Sequence, residues 1–160
     1  MKHASARICL GLVTAAAALA ATLGATAADA NFAAYRTHVN AICRSYTPTF
    51  KRLEADMAKA KRAGNLQRYA YDFGTILGLT LAQGVRVEKT PVPADGRARM
   101  AGPLRLLHAA DAQLRRALAA ATAGDQTGFA AQLTKLAKVS APLNHSFDAV
   151  GLQDCGSRQQ

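Results

Sequence analysis

Residues 125–152, DQTGFAAQLTKLAKVSAPLNHSFDAVGL, decide the fold class. Phe129, Leu133, Leu136, Ser140, Leu143, Phe147 and Val150 recur at steps of three and four, the spacing that lines one face of an α-helix. Asp125 stands where a helix N-cap is expected, and Gly124 and Gly151 are of the residue type that most often ends a helix. The stretch therefore predicts a helix over 125–150, about 39 Å long at ~1.5 Å per residue. Leu152 is placed to fold back as the apolar contact that follows a helix-stopping glycine.

The same periodicity extends backwards through the chain. Met100, Leu104, Leu107, Leu114 and Leu118 predict a third helix ending near Ala123. Before it, TPVPAD at 90–95 is the clearest break, with two prolines and an Asp as N-cap candidate. A second helix is predicted over 66–88, burying Leu66, Tyr69, Phe73, Leu77 and Leu81. Ala70, Gly74 and Gly78 form a ridge of small residues along its flank. Glycine weakens a helix, so the expected use of that ridge is close approach by a neighbouring helix.

Upstream, Phe32, Tyr35, Val39, Ile42, Tyr46, Phe50, Leu53, Met57 and Ala60 make one long stripe. It crosses Pro48, which predicts either one kinked helix or a restart capped by Thr47. Gly64 supplies the stop and Asn65 the next N-cap. Pro103 and Pro142 predict kinks in the later helices. Strand signals are nearly absent. The expected fold is all-α, an antiparallel up-down-up-down four-helix bundle with kinked helices, one disulfide and short turns.

The N-terminus, MKHASARICLGLVTAAAALAATLGATAADA, has the order of a secretory signal peptide. Lys2 and Arg7 precede an apolar stretch, which leads to Ala25-Thr26-Ala27 and Ala28-Asp29-Ala30, two cleavage-type triplets. Residues 1–27 are therefore expected to be removed, with cleavage after Ala27 or Ala30. Residues 28–160 would form a single helical-bundle domain. An uncleaved anchor is the competing reading, because residues 8–28 carry no charge.

Removal of residues 1–27 leaves 133 residues with 18 basic and 10 acidic side chains, a net charge of +8. It also removes Cys9, so the exported chain keeps Cys43 and Cys155, which most simply form one bridge. Length matching points the same way. Counting the length of the fourth helix backwards from the Gly64 turn reaches residues 38–43. A five-residue tail from Val150 then brings Cys155 to Cys43.

Four short pieces carry a resemblance: AIC at 41–43, TPVP at 90–93, ATAGD at 121–125 and GLQDC at 151–155. The chain resembles the uncharacterised small exported or lipid-anchored α-helical proteins of high-GC Gram-positive bacteria. The resemblance spans most of the exported chain, implies the helical fold and export, and implies no activity. The chain departs from the anchored members in having no lipid-attachment cysteine after the apolar region.

No catalytic or cofactor motif stands out. His38, His108 and His145 have no HxxxH or Glu-x-x-His spacing, so no metal or haem site is expected. The DFG at 72–74 lacks every companion kinase motif. Asp111 is the polar anomaly, since its phase sets it in the apolar stripe between Leu107 and Leu114. His108 and Arg115 are in reach on the same helix. The three read either as one wall of a small anionic-ligand pocket or as a satisfied polar cluster. Lys59, Lys61, Arg62 and Arg68 gather at one end of the bundle. They suit anionic cell-envelope polymers or lipid headgroups; no aromatics interleave with them, and with export this argues against nucleic acid. The expectation is a non-enzymatic binding or structural protein of the cell envelope. The alternative is a small-ligand binder or enzyme with an interhelical pocket near Asp111.

Overall fold

In the computed structural model, which describes residues 13–159, four helices carry the fold and no strand occurs among the described residues. They are α1 (Val13–Arg62), α2 (Leu66–Glu88), α3 (Arg97–Thr122) and α4 (Gln126–Ala149). Single 3₁₀ turns at Ala94–Gly96 and Ser157–Gln159 lead into α3 and close the tail. Lys2, Arg7 and Cys9 lie outside the described residues. Both Ala-x-Ala triplets fall on the backbone of α1. Among the described residues no helix is long and apolar enough to cross a membrane.

Helix ends follow the local rules. Gly64 and Gly124 adopt φ of 66° and 71°, the left-handed conformation that costs glycine least. At the first turn the Asn65 amide donates to the Ala60 carbonyl, and at the second Asp125 donates to Ala120, both at 2.9 Å. These bonds satisfy carbonyls that the last helical turn leaves open. The same two residues then cap the next helix: Asn65 Oδ1 accepts from the Arg68 amide at 2.9 Å and Asp125 Oδ1 from Gly128 at 2.8 Å. One residue thus closes one helix and opens the next.

Of the two alternatives at Pro48 the single helix is found, and one expected cap is corrected. α1 runs unbroken through Pro48, so Thr47 does not cap a second helix. Proline removes one backbone donor and crowds the carbonyl four residues back, yet Val39, Ile42, Phe50 and Leu53 are buried on both sides of it. Packing along the whole stripe outweighs the local loss. α3 and α4 likewise continue through Pro103 and Pro142. Asp95 does not cap α3 with its side chain; it sits inside the 3₁₀ turn, and Gly96 occupies the N-cap position.

α1 packs on α2 and α3 on α4, a smaller contact joins α2 to α3, and α1 and α4 make no close backbone contact. The core is correspondingly lopsided. Phe32, Tyr35, Val39, Ile42, Val87, Met100, Leu107, Leu143, Phe147 and Leu152 form one cluster with the two cysteines. Toward the Gly64 and Gly124 turns the packing thins. Leu66, expected inside, is 75% exposed, while Tyr69, Phe73 and Leu81 are half-buried. Aromatic contacts partly compensate there, with Phe73 edge-on to Phe129 at 6.0 Å.

The C-terminal tail is tied to α1 as the length matching predicts. Cys43 and Cys155 form the disulfide, their Cα atoms 5.2 Å apart. Leu152 is fully buried, and its amide donates to Phe147 O at 2.8 Å. Asn40 on α1 braces the tail twice, donating from Nδ2 to Gly151 O at 3.0 Å and accepting from the Asp154 amide at 3.1 Å. Arg44 pairs with Asp154 beside it.

An interhelical cavity around Asp111

Near the disulfide the four helices line a partly open cavity of about 200 Å³. Its wall draws on every long helix: Cys43 from α1, Gly84 and Val87 from α2, Leu107 and Leu114 from α3, Leu143 and Phe147 from α4. Most of this lining is aliphatic. Asp111 is the one ionisable side chain on the wall, because both lining cysteines are tied up in the disulfide.

Asp111 is 5% exposed, and its Oδ2 is buried without a hydrogen-bond partner. Burial pushes its carboxyl up from the usual range to about 6, and the Glu88 carboxylate pushes it the same way. Arg115 and His108 pull in the opposite direction, less strongly. A carboxylate taken from water without partners is costly, and the raised value expresses that cost.

The space for this carboxylate comes from Gly84 on α2. A Cβ at Gly84 would stand 2.7 Å from Asp111 Oδ1. The glycines of the small-residue ridge do something else. Nothing lies within 4 Å of a Cβ placed on Gly74 or Gly78, so the Ala70–Gly74–Gly78 ridge is not a packing groove. The close approach falls instead at Gly84, which the sequence pattern does not single out. Only its position opposite α3, a tertiary fact, separates Gly84 from the other two.

His108, Asp111 and Arg115 are neighbours on α3, yet only Asp111 enters the cavity. The His108 side chain is 66% exposed, and its Nδ1 lies 2.8 Å from Glu88 Oε1, a pair across α2 and α3. Arg115 is exposed. The wall is therefore not the cationic surface that an anionic ligand requires. It presents a carboxylate. Glu88 was not legible as a member of this group, since its approach depends on how α2 crosses α3.

The remaining polar lining is mostly spent on the protein itself. Thr80 Oγ1 donates to Ile76 O and Ser140 Oγ to Leu136 O, both at 2.9 Å. Gln83 Nε2 donates to Cys43 O at 3.3 Å. The two hydroxyl oxygens keep acceptor capacity, and Asn144 adds an amide that serves either role.

The basic residues near the first turn divide. Lys59, Lys61 and Arg62 are exposed in the last turn of α1, where cations also suit the helix dipole. Arg68 is engaged: Nε donates to the buried Asp72 at 2.8 Å, and Nη2 lies 3.7 Å from Asp56. Its guanidinium also lies over the Tyr71 ring, 5.6 Å from the centroid.

No family model, curated protein sequence or solved structure matches the chain.

Proposed function

We propose that the chain is an exported, non-enzymatic binding protein of the cell envelope whose ligand site is the interhelical cavity around Asp111. On this reading the signal peptide is cleaved after Ala27 or Ala30. The four helices run up-down-up-down, with the disulfide fastening the tail at the cavity end.

One observation carries the binding reading: Asp111, a buried side chain whose Oδ2 has no hydrogen-bond partner, lines a roomy and mostly aliphatic cavity. A largely apolar enclosure with a few polar groups is the usual make-up of a small-molecule site. An apolar cavity of roughly 150 Å³ is enough to admit benzene. Asp111 has no second titratable group beside it on the wall, which favours binding over proton-transfer catalysis.

Melting the exported protein with small apolar molecules of one ring tests the reading. A saturable rise in melting temperature is expected, unchanged by high salt. A ligand at about a hundred times its Kd adds ~2.7 kcal/mol of stability. Absence of any shift, or a shift that a bulky Ser140→Phe variant leaves intact, overturns the cavity as the site.

A second reading rests on the exposed Lys59, Lys61 and Arg62. These side chains form a basic tip suited to anionic envelope polymers or lipid headgroups. Arg68 contributes less than the other three, being committed to Asp72 and Asp56.

A further inference from the structure

Within the cavity reading, we infer that the ligand is a small cationic amine with an apolar body, its ammonium group held by Asp111 and its body against Leu107, Leu143 and Phe147. The wall asks for donors. Asp111 Oδ2 is buried and unpartnered, Oδ1 occupies the space left by Gly84, and the hydroxyl hydrogens of Thr80 and Ser140 are committed to their own helices. What the wall offers inward is chiefly oxygen acceptors, a carboxylate and two hydroxyl oxygens, with the Asn144 amide able to serve either role. An ammonium group brings three donors and no acceptor.

Charge makes the same selection. No basic side chain lines the cavity, and His108 and Arg115 on the same helix are exposed. A carboxylate or phosphate ligand would meet Asp111 with no compensating charge. A neutral ligand would leave the Asp111 charge buried and unpaired, whereas an ammonium cancels it through charge-assisted hydrogen bonds. Size limits the body. A volume of about 200 Å³ takes one ring or a short aliphatic chain besides the head.

The groups around Asp111 allow the pH behaviour to be derived. Glu88 faces it from α2 and His108 and Arg115 from α3, while no ionisable side chain of α1 or α4 lines the cavity. Protonation of Asp111, with its carboxyl pushed up to about 6, competes with the ammonium. Affinity should therefore fall about tenfold between pH 7 and pH 5.

Titration calorimetry of the exported protein with benzylamine, benzyl alcohol, toluene and benzoate tests the inference. Benzylamine is expected to bind roughly tenfold or more tighter than benzyl alcohol or toluene, with benzoate weakest. Asp111→Asn should remove the preference for benzylamine and its pH dependence while toluene still binds. Gly84→Ala should weaken benzylamine more than toluene, by displacing the carboxylate. Toluene or benzyl alcohol binding as tightly as benzylamine, or an unchanged benzylamine affinity in Asp111→Asn, overturns the amine inference and leaves the cavity reading standing. If none of the four binds, both fall.

Discussion

Gly84 on α2 and Asp111 on α3 fit each other: the carboxylate of one occupies the space where a side chain on the other would begin, with Oδ1 2.7 Å from the site of a Cβ. This contact brings two helices together at a buried polar group and sets the chemistry of the cavity. It also fixes the sign of several stability effects.

Stability should depend on pH through Asp111 in an unusual direction. The folded carboxyl is raised to about 6 from 3.8, so between those values the folded state holds more protons than the unfolded one. Stability linked to this group is greatest below pH 4 and is lost as pH rises through about 6. Asp111→Asn should therefore stabilise the ligand-free protein at pH 7, with the gap between the two values setting a ceiling of ~3 kcal/mol. It should also flatten that part of the profile. Chemical denaturation at pH 4, 6 and 7.5 checks this, and a destabilised Asn variant at pH 7 would contradict it.

Glycine replacements should separate by position. Gly74→Ala and Gly78→Ala have free space and should each stabilise by about 0.5–1 kcal/mol through helix propensity. Gly84→Ala gains the same propensity but must push the Asp111 carboxylate aside, so a net loss of about 1 kcal/mol is expected. In an Asp111→Ala background that penalty should vanish. A double-mutant cycle reads the coupling directly.

Cys43→Ser and Cys155→Ser should lower the melting temperature by similar amounts, and the double variant should be little worse than either. All three remove the same bond, which spans 112 residues. The chain-entropy model values such a loop at ~4–5 kcal/mol, with measured losses often smaller. Thiol titration of the chain from Ala28 onward, which lacks Cys9, should find no free thiol, and two free thiols would show that the bridge does not form.

Export should leave a new N-terminus at Ala28 or Asn31. Sequencing the protein recovered from outside the cytoplasm checks this. An intact Met1 in a membrane fraction would support the uncleaved anchor instead.

Replacing Lys59, Lys61 and Arg62 by glutamine should reduce retention on anionic vesicles, most visibly at low salt. The loss should exceed that from replacing Arg97 and Arg105. Adding Arg68→Gln should contribute less retention loss than its charge suggests, and should destabilise the fold by leaving the fully buried Asp72 without its Arg68 partner. Equal effects from both sets would mean that the basic turn only solvates the bundle.

The sequence by itself determined the features that depend on neighbours within a turn or two. Helix ends were legible because Asn65, Asp125, Gly64 and Gly124 act through bonds to residues three to five positions away. The disulfide was legible because two cysteines, one helix length and a short tail left little freedom. The buried phase of Asp111 followed from the 3.6-residue period alone. Tertiary structure decided everything that depends on which helices meet. α1 and α4 make no close backbone contact, and toward the turns Leu66 is exposed while Tyr69 and Phe73 are only half-buried. The approach of α2 to α3 made Gly84, and not Gly74 or Gly78, the α2 glycine without room for a side chain, and it made Glu88 the partner of His108. It left Asp111 in the cavity while His108 and Arg115 stayed in solvent. Periodicity gives the angle at which a side chain leaves its own helix. What that side chain meets there is fixed by the distance and crossing of the next helix, which no local pattern contains.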